Sequence, residues 1–506
     1  MKEKKLLPLP MAVAAAVATM SAAHAQMFID DQNTGEVVVL PFYSAENGNS
    51  TNVNIANTTG LSKAVKVRII EGENSQEVLD WNLYMSPYDH FSFAIVATDA
   101  GGGAIMTNDT SCTVPAITGT VPFRSSLYDD PEGADCEADN CGIERTATGY
   151  IEIIEMGQIE PDTATDVAVT HVDGVPADCD LVVEHWSNIA GVVGPWLEES
   201  SDATRQGETH MLDTWNGGGL YAYAGVVNAA DATAYGVNGT AISSAVTGTG
   251  YALHFPPGNT EPDFTHFADV NANGGFIDDA TVTVDGIQTD YMNLGDSLDA
   301  VSAVFMTSQL MNDYVTDPDI LASTDWVITM PTKFLHINTL TVPEREPFTI
   351  GWNGAVACEY VALKAWDREE GEINTPPGST GPDFSPAPEI PDIVTYDLPL
   401  CYEVNVLRFA DESAVKNESL AIGDLADDYL PGVDGWAKID FEKSALTADS
   451  QDIITNDRLI ADLSGLPVLG FAVQTYGNDN LNDSGSVANY AMSVAHKTKT
   501  TTSTAQ

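Results

Sequence analysis

Residues 52–69 read Asn-Val-Asn-Ile-Ala-Asn-Thr-Thr-Gly-Leu-Ser-Lys-Ala-Val-Lys-Val-Arg-Ile and contain two short runs in which apolar and polar side chains alternate. A period of two is typical of a β-strand with one buried face. Between the runs lies Asn57-Thr58-Thr59-Gly60, and these residue types favour a turn. The stretch therefore predicts two strands joined by a turn.

The same pattern extends along the chain. Residues 37–40 are β-branched or apolar, and Phe91, Phe93 and Ile95 alternate with smaller or polar side chains. Further strand-like runs occur at 149–155, 181–183, 220–227, 280–284, 325–330, 348–352, 359–363, 402–409 and 470–476. We expect a mostly β protein with two or more immunoglobulin-like antiparallel β-sandwich domains, long loops and at most a few short helices.

One stretch departs from the strand pattern. In residues 297–314, Leu298, Val301, Phe305 and Met311 lie near helical spacing, with Asp296 or Ser297 as an N-cap. We predict one helix there, and a strand over 301–306 is the alternative.

The patterns predict a division of the chain into six segments. These are a signal peptide at 1–25, an N-terminal sandwich at 26–125, an acidic cysteine-containing loop at 126–148, a central β-rich domain at 149–320, a C-terminal β-rich domain at 321–496 with a proline-rich loop at 374–393, and a disordered polar tail at 497–506.

Residues 1–25 have the three parts of a secretory signal peptide: lysines at the start, an apolar run over 6–20, and Ala-His-Ala at 23–25. We expect cleavage before Gln26. A membrane anchor is the alternative, but the run is shorter than the roughly 18–20 residues that span a bilayer. The prediction is an exported protein at the cell surface or in the extracellular medium, with the periplasm as an alternative location.

The composition is strongly acidic. The chain has 74 acidic and 20 basic residues and a formal net charge of −54. Such a charge repels nucleic acid and anionic membranes, so we expect neither as a partner, and no later apolar stretch is long enough to predict a membrane span. The acidity has two explanations, a solvated surface in a salty medium or carboxylates that bind divalent cations.

Six cysteines are present: Cys112, Cys136, Cys141, Cys179, Cys358 and Cys401. An even number in an exported chain favours disulfides. Proximity in sequence favours the pairs Cys136–Cys141, Cys112–Cys179 and Cys358–Cys401. A metal–thiolate site at Cys136 and Cys141 is the alternative, although no second cysteine pair has the same spacing.

Residues 269–274, Asp-Val-Asn-Ala-Asn-Gly, match the first six positions of a calcium-binding loop. Alternate oxygen-bearing side chains converge on one ion, and the glycine allows the sharp turn. Ala280 stands where an EF-hand has its bidentate glutamate, so we do not expect a helix-loop-helix module. The predicted Ca²⁺ ligands are Asp269, Asn271, Asn273, Asp278 and Asp279; an Asn/Gly-rich surface turn is the alternative.

Catalytic signatures are weak. The sequence has no G-x-S-x-G or H-E-x-x-H motif. Glu184 and His185 are adjacent, but adjacent strand residues face opposite ways. The histidines stand apart from one another, which favours structural roles. A pair of carboxylates for glycoside hydrolysis cannot be recognised in the sequence, because any two of its many acidic residues could meet in the folded protein. The eight tryptophans are either core residues or part of a sugar-stacking row, and a core role is the more frequent one.

Three parts of the chain resemble a set of uncharacterised exported bacterial cell-surface proteins. They lie near the start, middle and end of the chain: Gly48-Asn49-Ser50-Thr51-Asn52-Val53 through 63–68 to Tyr84-Met85-Ser86-Pro87-Tyr88-Asp89, then Thr324-Asp325-Trp326-Val327-Ile328-Thr329-Met330-Pro331-Thr332-Lys333, then Gly470-Phe471-Ala472-Val473 with Asn489-Tyr490. The resemblance implies an envelope location and a β architecture, and it supplies no activity or site residues.

Taken together, these features predict an exported structural or adhesive β protein, stabilised by Ca²⁺, that assembles with itself or with another surface component. The alternatives are a secreted carbohydrate-binding protein, which an exposed aromatic row would support, and a secreted hydrolase. A hydrolase would need clustered carboxylates of perturbed pKa in a cleft.

Overall fold

The computed structural model describes residues 26–128, 142–198, 209–212, 214–243, 247–249, 253–269, 275–338, 346–353, 356–371, 396–425, 430–442, 458–477 and 489–503. The protein is mostly β, as the sequence predicts, with several antiparallel sheets and a few short helices.

The strands before residue 250 supply most of the first half of the fold. They are β1 Phe28–Ile29, β2 Val37–Ser44, β3 Asn49–Asn57, β4 Lys63–Glu71, β5 Glu77–Met85, β6 His90–Ala97, β7 Gly103–Met106, β8 Cys112–Val114, β9 Thr120–Pro122, β10 Thr148–Gln158, β11 His171–Val172, β12 Val175–Pro176, β13 Asn188–Ile189, β14 Val192–Val193, β15 Thr214–Asn216, β16 Leu220–Asn228, β17 Thr233–Asn238, β18 Thr240–Ser243 and β19 Thr247–Thr249.

The later strands build the second half. They are β20 Ala268–Asp269, β21 Gly275–Phe276, β22 Ala280–Val284, β23 Ile287–Tyr291, β24 Met306–Thr307, β25 Gln309–Val315, β26 Ser323–Thr329, β27 Glu359–Asp367, β28 Tyr396–Leu400, β29 Val404–Arg408, β30 Ala421–Asp424, β31 Asp434–Asp440, β32 Leu459–Ile460, β33 Leu463–Ser464, β34 Leu466–Pro467, β35 Leu469–Tyr476, β36 Tyr490–Ala495, β37 Lys497–Lys499 and β38 Thr501–Thr502.

Five short α-helices and three 3₁₀ turns complete the described elements. The helices are α1 Ala164–Val169, α2 Cys179–His185, α3 Pro195–Glu198, α4 Ser297–Phe305 and α5 Lys333–Ile337, and the 3₁₀ turns are Glu46–Gly48, Ile143–Ala147 and Pro318–Ile320. None of the helices in the described ranges is long and apolar enough to cross a membrane.

Two sheets drawn from residues 28–243 pack face to face and form the N-terminal sandwich. The seven-stranded sheet has the order β1-β18-β2-β10-β4-β5-β8, and the six-stranded sheet has the order β17-β16-β3-β6-β7-β9. Val67 of β4 and Phe93 of β6 lie in one core between them. Alternation along each strand therefore places one apolar face inside, as the period of two predicts.

The strand pairing crosses the boundary that the sequence suggested at residue 149. β10 lies between β2 and β4 in the seven-stranded sheet, and β16 pairs with β3 along its whole length. Residues 149–243 therefore complete the sheets begun by residues 26–125 and do not open a separate domain. Strand pairing at such sequence separation carries no local signal, which is why pattern alone divided the chain there.

The outer face of the seven-stranded sheet is covered by a helical cap made of α1, α2 and α3. Ala64, Tyr84 and Met156 of the sheet share a core with Val169 and Val182 of these helices. The Cys112–Cys179 disulfide ties β8 to the start of α2, in the pairing that the sequence predicts. The strand predicted at 181–183 is wrong, because Asp178 caps a helix there by accepting a hydrogen bond from the Leu181 amide.

Two five-stranded sheets form the C-terminal sandwich. The outer sheet has the order β28-β27-β31-β25-β37 and the inner sheet the order β30-β29-β26-β35-β36. Trp326 of the inner sheet packs with Leu363 and Ile439 of the outer sheet in one core. The Cys358–Cys401 disulfide, also predicted, joins the residue before β27 to the residue after β28. Cys136 and Cys141 lie outside the described residues.

The central strand of the inner sheet, β26, is buried on both faces. Trp326 and Ile328 point into the C-terminal core, while Val327 between them belongs to the core shared with the N-terminal sandwich. At this junction Phe42 and Phe471 meet edge to face with centroids 6.2 Å apart, and the Val404 amide donates to the Gly72 carbonyl at 2.8 Å. The core of the N-terminal sandwich therefore extends onto one face of the inner sheet, and the C-terminal sandwich has a core of its own on the other face.

Three local predictions can be compared with the structure directly. The helix predicted within 297–314 is confirmed for its first half only: α4 ends at Phe305, and Met311 lies on β25. The N-cap of α4 is Asp296, which accepts a hydrogen bond from the Asp299 amide. The tail predicted as disordered from residue 497 is wrong, because Lys497–Lys499 pairs with β25 and Thr501–Thr502 with β33. Residues 348–352 form no strand, and the proline-rich loop at 374–393 lies outside the described residues.

Candidate functional site

The predicted calcium loop lies partly within the described residues. Asp269 ends β20 and pairs with Gly275 of β21, so a short hairpin joins the two ends of the loop. Asn271 and Asn273 lie outside the described residues. The hairpin brings the two ends of the loop together. Binding of an ion by this loop stays a prediction from the sequence.

The remaining predicted ligands, Asp278 and Asp279, follow the hairpin. Asp279 is 4% exposed, and its Oδ1 accepts a hydrogen bond from the Asn293 amide at 2.8 Å. The Asp278 carbonyl accepts from the Leu294 amide at 2.9 Å. No cluster of three or more His, Cys, Asp or Glu side chains fit to hold a metal occurs in the described part of the chain. In this structure Asp279 acts as a loop-fixing residue.

The adjacent acid and imidazole, Glu184 and His185, lie on helix α2. His185 is buried, and burial, with a smaller contribution from His210, lowers its pKa to about 4. A second pair resembles a nucleophile and base: Ser302 Oγ lies 2.8 Å from His336 Nε2. Both side chains are buried in the packing between α4 and α5. The Ser302 hydroxyl and the rings of His185 and His336 are buried away from any substrate. Neither pair is therefore arranged for catalysis.

Histidines that stand apart in the sequence gather in space under the helical cap. The rings of His185 and His254 each lie 4.6 Å from the Trp196 ring, centroid to centroid. Tyr84 Oη accepts a hydrogen bond from Trp186 Nε1 at 2.6 Å and bonds His254 Nε2 at 2.8 Å. These buried aromatic and imidazole side chains hold the cap on the sheet, and the expected structural role of the histidines fits this arrangement.

A cleft of about 460 Å³ lies at one end of the N-terminal sandwich and is lined by Glu46, Glu73, Glu144 and Arg145, among others. Burial raises the pKa of Glu73 to about 7 against the opposing effect of Arg145, whose Nη1 lies 3.5 Å away. Glu46 accepts hydrogen bonds at both carboxylate oxygens from the loop at 417–419. In this cleft the pKa of Glu73 is raised, and its neighbour Glu46 holds the junction through its hydrogen bonds.

Four of the eight tryptophans are buried, Trp352 and Trp366 are half-buried, and Trp436 is exposed. Trp81, Trp186, Trp196 and Trp326 are at most 7% exposed and belong to the cores, as expected. The exception is on the outer sheet, where Trp436 is 40% exposed. Its ring stacks on that of Trp366 with centroids 4.3 Å apart and planes 14° from parallel.

Lysines flank this tryptophan pair on the same side of the outer sheet. In the register of the sheet, Lys364 of β27 is directly opposite Lys438 of β31, Lys438 is opposite Met311 of β25, and Met311 is opposite Lys497 of β37. Directly opposite residues point to the same side of a sheet. At about 4.8 Å per strand the row extends over roughly 14 Å. Lys499 follows two residues beyond Lys497 and therefore faces the same side.

We call this surface the lysine–tryptophan face and define it as Lys364, Trp366, Trp436, Lys438, Lys497 and Lys499. Lys497 and Lys499 are exposed, and Lys364 and Lys438 are half-buried between their neighbours. Within the described ranges, no carboxylate lies within ion-pair distance of Lys364, Lys438 or Lys497, and Lys499 contacts Asp285 at 3.3 Å. The face therefore presents positive charge on a chain of net charge −54.

Apart from the exposed Arg124, the lysines and arginines described in the N-terminal sandwich have the opposite placement. They are buried and ion-paired: Lys63 Nζ with Glu155 Oε1 at 2.5 Å, Lys66 Nζ with Asp80 Oδ2 at 2.7 Å, Arg68 with Glu77 at 2.7 Å and with Glu152, and Arg145 Nε with Glu71 Oε2 at 2.7 Å. These cations are neutralised inside the protein and are not available to a partner.

Sequence reasoning missed the lysine–tryptophan face although part of its signal was present. In residues 359–366, Glu-Tyr-Val-Ala-Leu-Lys-Ala-Trp, the apolar positions 361, 363 and 365 alternate with the rest, so Lys364 and Trp366 share the outward side. The sequence does not show which strand pairs with β27, because its partner β31 lies about 70 residues further along the chain.

Comparison with protein-family models, curated proteins and solved structures found no match to this chain. The function is therefore argued from its own residues.

Proposed function

We propose that the protein is exported and acts at the cell surface or in the extracellular medium as a structural or adhesive protein, built on immunoglobulin-like sandwiches. The observation that carries the proposal is a frame of two sandwiches, packed together across the inner sheet, that presents the lysine–tryptophan face to solvent. Such a frame holds a contact surface in a fixed orientation, which is what adhesion requires.

Two features support export. Residues 1–25 have the composition of a signal peptide. The disulfides Cys112–Cys179 and Cys358–Cys401 are of the kind that form and persist in oxidising compartments. Both disulfides also restrain the frame, the first at the helical cap and the second at the edge of the outer sheet.

The catalytic alternative has less support. Hydrolysis of a glycosidic bond needs two carboxyl groups on either side of the bond. In the described cleft, Glu73 has a raised pKa but Glu46 is held by the loop at 417–419. The Ser302–His336 pair is buried. These groups stabilise the frame in the structure.

The carbohydrate-binding alternative is favoured by one observation, the stacked Trp366–Trp436 pair with Trp436 partly exposed. An indole face packs well against the C–H face of a sugar ring. Sugar binding would be a means of adhesion, so this alternative refines the proposal and does not compete with it.

The test of export follows the chain in cells. The full chain is expressed beside a variant that lacks residues 2–25, and cytoplasmic, periplasmic, surface and medium fractions are analysed by mass spectrometry. We expect the full chain outside the cytoplasm with Gln26 at its N-terminus and the shortened chain retained inside. Retention of the full chain in the cytoplasm with residues 1–25 intact would overturn the proposal.

The proposed role of calcium is tested by the native mass of the exported protein, measured by sedimentation in Ca²⁺ and again after chelation. If the loop at 269–279 stabilises assemblies, Asp269→Asn and chelation should both reduce the mass. A monomer that is indifferent to chelation would remove calcium from the proposal and leave the adhesive role to the lysine–tryptophan face.

A further inference from the structure

We propose that the lysine–tryptophan face binds an acidic polysaccharide, that is, a sugar chain that carries carboxylate or sulfate groups. The inference deepens the proposed function and rests on it, because it names the class of partner to which the protein adheres. Its basis is the row of Lys364, Lys438 and Lys497 beside the stacked pair Trp366 and Trp436.

The placement of basic residues is the first reason to expect an anionic partner. A chain with 74 acidic and 20 basic residues has few cations to place, and most of those in the N-terminal sandwich are neutralised by buried carboxylates. Four lysines are nevertheless gathered on one side of one sheet. Asp313 and Asp440 lie beside the row in the register but form no ion pair with Lys364, Lys438 or Lys497. Charge complementarity therefore indicates an anionic partner.

Protection of a sheet edge explains only some of these lysines. Lysine on an edge strand prevents pairing with another sheet, and that role accounts for Lys497 and Lys499 on β37. It does not account for Lys438 on β31, the central strand, or for Lys364 on β27 next to it. Like charges directly opposite each other destabilise a sheet, so the Lys364–Lys438 pair has a cost that a ligand would offset.

The open shape of the face and its exposed indole indicate the kind of partner that fits it. Small molecules prefer concave sites, whereas this face is the open side of a sheet and its lysine row extends over roughly 14 Å. An extended chain can contact the whole row. The exposed side of Trp436 lies next to Lys438 along the strand and offers a stacking surface for a sugar ring. Cations in a row beside an aromatic surface fit a chain whose units carry both a ring and a negative group.

A second copy of this chain is the other anionic occupant. Two copies of net charge −54 repel each other overall. The tryptophan pair also favours a sugar, because its exposed area is one indole face and is too small for the apolar core of a protein interface. Self-association is therefore kept as an outcome of the test.

The experiment measures binding of the purified exported protein to immobilised polygalacturonate, dextran sulfate and neutral dextran by biolayer interferometry at low and moderate salt. We expect binding to one or both charged polymers and none to dextran, and the better polymer identifies carboxylate or sulfate as the group. The double variant Lys364→Gln/Lys438→Gln and the single variant Trp436→Ala should each weaken binding about tenfold.

Matched controls come from elsewhere on the surface. Lys416→Gln removes a lysine near the junction, and Tyr490→Ala removes an aromatic side chain that is 63% exposed on the inner sheet. Both should bind like the parent protein. Thermal melts of every variant establish folding, and the half-buried lysines can be replaced singly if the double variant melts early.

Several results would overturn the inference. Equal binding to dextran would make the face a neutral-sugar site, and equal losses in the control variants would place binding elsewhere. No polymer binding, together with a native mass that falls in the Lys364→Gln/Lys438→Gln variant, would assign the face to a second copy of the chain. In each case export and an adhesive role could still hold, since the fractionation experiment is independent of polysaccharide binding.

Discussion

The two sandwiches place their basic residues in opposite ways. In the N-terminal sandwich Lys63 and Lys66 are fully buried and paired with Glu155 and Asp80. In the outer sheet of the C-terminal sandwich, Lys364 and Lys438 occupy the solvent side without a carboxylate in ion-pair distance among the described residues. Lys63 shares the inner side of its sheet with Val65 and Val67, whereas Lys66 lies on the outer side, as Lys364 and Lys438 do in their sheet. For Lys66 the difference therefore lies in what covers the outer face.

The cover explains the contrast. The outer face of the N-terminal sheet lies under the helical cap and under the loop at 253–267, where the Lys66 ammonium also donates to the carbonyl of Asn259 at 3.1 Å. A buried cation needs a partner charge and hydrogen bonds, or it is strongly destabilising. A half-exposed cation needs neither. Buried lysines therefore have a structural role in this protein, whereas Lys364 and Lys438, half-exposed and unpaired among the described residues, remain available to a partner.

The largest expected effect is on the buried side of the comparison. Lys63→Met leaves the Glu155 carboxylate buried without its partner charge, while the Gly218 amide still donates to it at 2.8 Å. Removal of one partner from a buried pair costs about 3–5 kcal/mol. We expect a loss of that size in the free energy of unfolding, measured by urea denaturation followed by tryptophan fluorescence.

Two controls sharpen this result. The double variant Lys63→Met/Glu155→Leu removes both charges and should regain most of the lost stability, because an apolar pair of similar volume often replaces a buried ion pair without loss. Lys364→Met on the open face should change stability by less than about 0.5 kcal/mol. If Lys364→Met were as damaging as Lys63→Met, the distinction between structural and recognition lysines would be wrong.

The next effect concerns the cover itself. Replacement of Cys112 and Cys179 by alanine releases the helical cap from β8. Loss of a disulfide of this kind costs about 2–4 kcal/mol, and the hydrogen-bonded side chains of Tyr84 and Trp186 beneath the cap should become accessible. Hydrogen exchange should rise in α2 and β5 while the outer sheet of the C-terminal sandwich keeps its protection. If hydrogen exchange rose equally in both sandwiches, the helical cap would not protect the N-terminal sandwich specifically, and the comparison would fail.

The sequence predicts the strands better than their neighbours. The runs at 37–40, 52–55 and 64–69 fall within β2, β3 and β4, and α4 begins at its expected cap. These features are local, because side-chain alternation and capping depend on residues a few positions apart. The insertion of β10 between β2 and β4 is not local, and the division at residue 149 was wrong for that reason.

The site shows the same limit. Trp436 is one of eight tryptophans, and its sequence does not distinguish it from the buried Trp326. Only the pairing of β27 with β31 brings Trp366 against it and sets Lys364 opposite Lys438. Likewise, His185 and His254 look isolated along the chain and meet around Trp196 in space. Recognition surfaces on sheets are built across strands, whereas sequence patterns describe one strand at a time.

The junction between the sandwiches predicts a pH dependence of stability. Burial raises the pKa of Glu403 to about 8 from its ordinary value of 4.5, against the opposing effect of Lys333, and Glu71 raises it slightly further. Burial also lowers the pKa of Lys333. Because the folded protein holds the Glu403 proton more tightly than the unfolded chain does, its contribution is fully present below pH 4.5 and is lost as the pH rises through about 8.

Between these limits the free energy of unfolding should fall with rising pH, by about 1.4 kcal/mol per pH unit from this carboxyl. Urea denaturation at several pH values checks the slope. Glu403→Gln mimics the protonated side chain and should flatten the dependence without loss of stability at pH 8. An unchanged slope in this variant would assign the pH dependence to the overall charge of the chain and not to the junction.

The smallest expected effect is on stability at the lysine–tryptophan face, and it separates the two roles of a lysine most clearly. Lys364→Glu sets a carboxylate directly opposite Lys438, in place of a like charge. A cross-strand pair of opposite charges contributes roughly 0.2–1 kcal/mol, so the variant should be slightly more stable than the parent protein and should bind acidic polysaccharide more weakly than Lys364→Gln does. A gain in stability with a loss of binding is expected only if the like-charge pair is kept for a ligand. A gain in stability with unchanged binding would mean that the lysine row is incidental and that adhesion, if present, uses another surface.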